Sequence, residues 1–279
     1  MNFKNLLKLL FLSGLLVLPA CKSSNPIPEL NKVPATTLLH LHLAQGMNSQ
    51  IRAFAGEQLP GLVLADSLLK KGELGISMVG IDITTLNPQL LLLTRDATPE
   101  YATALAARVL NLDPRQEENR VDLVSEEGYA EAAVAEKDEW VALYIGPAPH
   151  ITLGNWLELD KENSLASDTS LAKVIPGEAH ITLLLSSNLF SFVSLLPLER
   201  QIPWWLTYKD IATTVKPAAF SLFLTWPEPD TEDPILAGTR LARRDGGVAS
   251  IDFSISDTQI DTDSIFLLML NLTGGITFE

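Results

Sequence analysis

Cys21 is the only cysteine among the 279 residues. No intrachain disulfide framework is possible, so the fold must hold together by buried apolar surface alone. Basic residues are also scarce: 20 Lys and Arg stand against 34 Asp and Glu, a formal net charge of −14. Phosphate recognition needs a basic face, so nucleic acid is excluded as a partner, and a polybasic patch for anionic lipid is disfavoured. There is no Gly-x-Ser-x-Gly elbow, no phosphate-binding loop of the Gly-x-x-x-x-Gly-Lys type and no Gly-x-Gly-x-x-Gly fingerprint. Gly72, Gly75 and Gly80 are spaced along a strand pattern and flank no helix start. No cofactor is implied. Hydrophobic residues make up 47% of the chain, too many for a disordered protein. A chain of this length forms one or two domains and needs no staples to bury a core.

The strongest signal lies at the start. Lys4 and Lys8 precede an apolar run from Leu9 to Leu18. That run is too short to cross about 30 Å of hydrocarbon and reads as the h-region of a signal peptide over residues 1–20. Leu18-Pro19-Ala20-Cys21 follows it. This tetrapeptide resembles the lipobox of bacterial lipoproteins: Leu three residues before Cys, and a small residue just before it. The resemblance implies diacylglycerol on the Cys21 thiol, cleavage before Cys21 and acylation of the new amine. More than one acyl chain then supplies a stable membrane anchor. Residues 21–33 read as a polar, proline-containing tether. Lys22 follows the cysteine, where an Asp would signal inner-membrane retention in enterobacterial lipoproteins, so the outer membrane is the expected location.

Two stretches of the remaining chain begin alike. Lys32-Val33-Pro34 leads into TTLLHLHLA, and Lys173-Val174-Ile175-Pro176 leads into EAHITLLLS. With Pro34 laid on Pro176, residues Thr37, Leu39, Leu41 and Leu43 fall on Ala179, Ile181, Leu183 and Leu185, one face of a period-2 strand. Pro60 and Pro203 each open a helical pattern, and Pro88 and Pro234 each precede a strand pattern, so the register persists. The expected unit is strand, helix, helix, strand, strand, at 36–44, 47–58, 61–71, 73–83 and 88–95, and again at 178–186, 188–200, 203–216, 218–226 and 234–243. A helix at 98–111, capped by Thr98, strands near 120–125, 129–136 and 139–145, a helix ending near Leu159 and a strand at 247–256 complete the reading. The expected fold is α+β: two related units over 34–172 and 173–279, each a mostly antiparallel sheet with helices packed on one face. This organisation resembles exported bacterial families of unknown function built from duplicated α+β units, which carry a segment like ENSLASDTSLAKVIPG (162–177) between units. That resemblance implies no activity.

Candidate chemistry is thin. His40 and His42 share one strand face about 7 Å apart, and His180 aligns with Leu38 on the same, outer face. Both strand histidines are expected to be exposed, with Leu41 and Leu183 on the core side. Asp257, Asp261 and Asp263 lack the glycine and terminal glutamate of a calcium loop and read as a solvated turn. Trp204 and Trp205 are adjacent at a helix start and point about 100° apart, so Trp205 is the candidate for an exposed, partner-facing ring and Trp204 for a packed one. The expectation is an envelope lipoprotein without enzymatic activity, anchored to the membrane and binding another envelope protein. The alternatives are a metal-dependent hydrolase using surface histidines and a carrier of an apolar ligand.

Overall fold

A computed structural model describes residues 27–44, 64, 67–68, 70–82, 87–177, 179–189, 216–226 and 234–255. Eleven strands run through them: β1 (Leu39–Leu43), β2 (Leu74–Ile81), β3 (Pro88–Thr94), β4 (Asp113–Gln116), β5 (Arg120–Val124), β6 (Ala130–Lys137), β7 (Trp140–Ile145), β8 (Ile181–Ser186), β9 (Pro217–Thr225), β10 (Ile235–Arg243) and β11 (Val248–Ile255). They form one sheet in the order β11-β10-β9-β8-β1-β2-β3-β7-β6-β5-β4, and every pairing is antiparallel.

The expected pair of α+β units, each with its own sheet and helices on one face, is therefore incorrect. The two aligned stretches do not found separate sheets. Their leading strands, β1 and β8, pair directly with each other. The register is symmetric: Leu41 faces Leu183, while Leu39 faces Leu185 and Leu43 faces Ile181. Residues matched by the sequence alignment thus exchange places across a local two-fold at the Leu41–Leu183 pair. Each leading strand would otherwise be an edge with unpaired N–H and C=O groups, and pairing removes both edges at once.

Helical elements lie on both faces, which explains the uninterrupted Leu90–Leu93 run in β3. Leu92 joins a core with Ala102, Leu105 and Ala106 of α1 (Pro99–Leu110). Leu91 and Leu93 point the other way, into a core with Leu153 and Trp156 of α2 (Pro149–Glu158). Alternation puts apolar residues on both sides only when both sides are covered. Helix α1 is fixed locally: the Thr98 hydroxyl accepts from the Tyr101 N–H at 3.3 Å, Pro99 opens the first turn, and Asn111 closes it in the left-handed conformation. The helical pattern at 47–58, most of those at 61–71, 188–200 and 203–216, Trp204, Trp205, the aspartates at 257–263 and Cys21 lie outside the described residues.

Two further expectations are corrected. Residues 27–33 are not a solvated tether. Pro28–Lys32 forms a 3-10 turn whose Glu29 and Leu30, with Val33, have no exposed surface. The segment is stitched down by hydrogen bonds: Trp156 Nε1 donates to Lys32 O at 2.8 Å, Leu165 N to Val33 O at 2.7 Å and Ala35 N to Asn163 O at 2.8 Å. The histidine face of β1 is also not the outer one. His40 is fully buried and His42 is 5% exposed, whereas Leu41 and Leu183 are only partly buried. The docked 27–33 segment covers the imidazoles.

Candidate functional site

The site begins with a row of the sheet that leaves room for an intruder. His42 sits between Gly75 of β2 and Thr182 of β8, and His40 between Ser77 and Leu184. Gly75 has no side chain to fill the slot beside His42. A Cβ there would lie 3.0 Å from Glu29 Cγ and 3.0 Å from His40 Cε1. The glycine lets Glu29 reach down from the 3-10 turn onto both imidazoles. Replacing Gly75 by Ala should destabilise the protein by about 1–3 kcal/mol through overpacking. Chemical denaturation checks this, and an unchanged midpoint would mean that Glu29 does not occupy the slot.

Glu29 Oε1 is the hub. It accepts from His42 Nδ1 in a very short contact and lies 3.3 Å from His40 Nε2, and His40 Nδ1 is 2.9 Å from Ser77 Oγ. Burial by itself would push the Glu29 carboxyl up. The hydrogen bonds from His40 and His42, together with their charges, outweigh it and hold the group down to about 2. The second oxygen, Oε2, is buried and has no hydrogen-bond partner among the described residues. A carboxylate that fixes an imidazole through Nδ1 leaves Nε2 as that ring's remaining polar atom.

Beside this network lies a cavity of about 410 Å³ at the end of the β1–β8 seam. Ile27 and Pro28 of the docked segment form one wall. His42, Ala44, Glu73, His180, Thr182 and Thr225 contribute from the strand ends, and Pro176, Gly177 and Ala179 close the other side. His180 Nδ1 accepts the Trp226 N–H at 3.1 Å, which places the ring proton on Nε2. Glu73 is almost fully buried, with Arg95 Nε 2.7 Å from its Oε1. Burial raises the Glu73 carboxyl, the charges of Glu29 and Asp96 raise it further, and Arg95 and His42 pull the other way.

No family model, curated protein or solved structure matches this chain. The function is therefore read from the site alone. Ser77, His40 and Glu29 form a hydrogen-bonded serine–histidine–carboxylate chain, but Ser77 and His40 have no exposed surface. A nucleophile sealed in this way meets no substrate. Among the described residues no group of three or more His, Cys, Asp or Glu side chains is arranged to hold a metal ion.

Sequence reasoning had singled out His40, His42 and His180, and the structure brings His42 and His180 to one cavity. It missed Glu29 and Glu73. Glu29 sits in a stretch that looks solvated by composition. Its only advance signal is the spacing of apolar Ile27, Leu30 and Val33 around it.

Proposed function

We propose that this chain is a lipid-anchored module of a bacterial envelope that binds a ligand without transforming it. The membrane would hold it through acyl groups on Cys21, and another envelope protein is the expected macromolecular partner, with no role for nucleic acid. The observation that carries the reading is the docking of residues 27–33 as one wall of a polar cavity. Only five residues, 22–26, separate the proposed anchor Cys21 from Ile27, a reach of about 20 Å. A free tether would let the body drift. A docked one sets the cavity close to the bilayer surface. The lipobox resemblance supports the anchor, and the sealing of Ser77 and His40 favours binding over hydrolysis.

The anchor is tested by Cys21→Ser. The variant should leave the membrane fraction or accumulate as the longer precursor, with loss of the acyl mass. Unchanged attachment and unchanged mass would defeat the proposal.

A further inference from the structure

The ligand class can be read from the charges around the cavity, an inference that rests on the binding reading just given. Local symmetry supplies the first observation. At the 142-residue offset that places Leu41 on Leu183, His42 corresponds to Leu184, His40 to Thr182, His180 to Leu38 and Glu29 to Leu171. The other end of the seam shows how such positions pack with little charge: the Ser186 hydroxyl donates to Thr37 O at 2.5 Å, and Asn188 Nδ2 donates to Ala35 O at 3.0 Å. Buried ionisable groups are costly and are not needed for packing here, since the related end closes without them. Their gathering at one end, around a cavity, marks that end as the binding end.

The second observation is the sign of the charge. Glu73 on the cavity wall feels burial first, then the charge of Glu29, which outweighs the opposing charges of Arg95 and His42, with Asp96 adding to the repulsion. His180 Nδ1 is taken up by the Trp226 N–H. Glu29 has a buried oxygen without a partner among the described residues. A second anion would meet Glu73 on the cavity wall with Glu29 behind it. A cation would relieve their mutual repulsion.

We infer that the cavity binds a small ligand through a primary ammonium group, which pairs with Glu73 beside His42, the rest of the ligand lying against Ile27, Pro28 and Pro176. Both a lipid headgroup and a free amine offer this chemistry.

The probe is ethanolamine, set against acetate and inorganic phosphate. The chain has four histidines, so their Cε1 protons can be followed individually by NMR on the intact protein in detergent. Ethanolamine should shift His42 and His180 in a saturable way and leave His150, exposed on α2, unmoved. Glu73→Gln should weaken this binding at least about tenfold. Arg95→Gln, which removes the competing internal cation, should tighten it several-fold, and it keeps the test open if Glu73→Gln does not fold. If acetate or phosphate shifts the two histidines and ethanolamine does not, the amine assignment is wrong while the binding reading stands. If the two variants leave ethanolamine binding unchanged, the assignment is also wrong. If no probe moves His42 or His180, the cavity is not a binding site and the binding reading fails with it.

Co-sedimentation of the Cys21→Ser chain with vesicles separates the two sources. Capture by phosphatidylethanolamine vesicles but not by phosphatidylcholine vesicles, lost in Glu73→Gln, identifies a lipid headgroup. Ethanolamine binding without vesicle capture identifies a free amine.

Discussion

His42→Asp should be among the most damaging single substitutions in the described part of the chain. The change replaces the hydrogen-bond donor to Glu29 by a second carboxylate in a position that is 5% exposed. Two like charges cannot both stay ionised there, and breaking a buried pair in this way costs about 3–5 kcal/mol. That is a large part of the roughly 5–15 kcal/mol that stabilises an ordinary protein. The pH dependence gives the test its sign. In the native protein Glu29 is depressed from 4.5 to about 2. Its stabilising contribution, about 3 kcal/mol by linkage, is complete above pH 4.5 and is lost as pH falls through 2. Acidification from pH 7 to pH 5 therefore should not weaken the native protein through this group. In the variant the same acidification should restore stability, because one of the two facing carboxyls takes up a proton. Urea unfolding at both pH values reads the difference. A variant that unfolds like the native protein at pH 7 would show that the imidazole face is open to solvent.

Trp156→Ala should cost about 3–5 kcal/mol, the range for a fully buried large aromatic. Trp156 is 1% exposed and packs in the core that includes Leu30, Val33, Leu153 and Leu165. It also ties that core to the N-terminal segment, because its Nε1 donates to Lys32 O. The loss should therefore be local as well as global. Lys32 is held at present, its Nζ 2.5 Å from Asp138 Oδ2 and its carbonyl bonded to the indole. In the alanine variant the segment should lift, and trypsin should cut after Lys32 under conditions where the native chain resists. Trp156→Phe grades the loss, since it keeps an aromatic ring in the core but removes the N–H together with part of the ring system, and it should fall between the native protein and the alanine variant. Equal trypsin resistance in all three proteins would mean that residues 27–33 are not anchored through Trp156.

Strand positions were legible because period-2 alternation and proline placement are local properties. The reading of 88–95 meets β3 at 88–94, that of 120–125 meets β5 at 120–124, and the helix at 98–111 meets α1 at 99–110. Thr98 and Pro99 fix that helix start by contacts within one turn. The short β4, Asp113–Gln116, carries a proline and no apolar pattern, and its strand character comes only from pairing with β5.

The sequence alone also determined that Leu39, Leu41 and Leu43 match Ile181, Leu183 and Leu185, because matching side chains recur at a constant offset. It could not decide that these two strands pair with each other and so join both stretches in one sheet. Pairing joins residues about 140 positions apart, and an edge strand carries no local mark of its partner. That both faces of β1 are interior was likewise a tertiary decision. LHLHL presents leucines on one side and histidines on the other, and hydrophobicity alone sends the leucines inward. The leucine side is indeed packed, with Leu43 in the core, and the docked turn at 28–32 buries the histidine side as well by supplying it with a carboxylate. Buried imidazoles are stable only when their hydrogen bonds are satisfied, and Glu29 and Ser77 satisfy them from segments 11 and 37 residues away from His40.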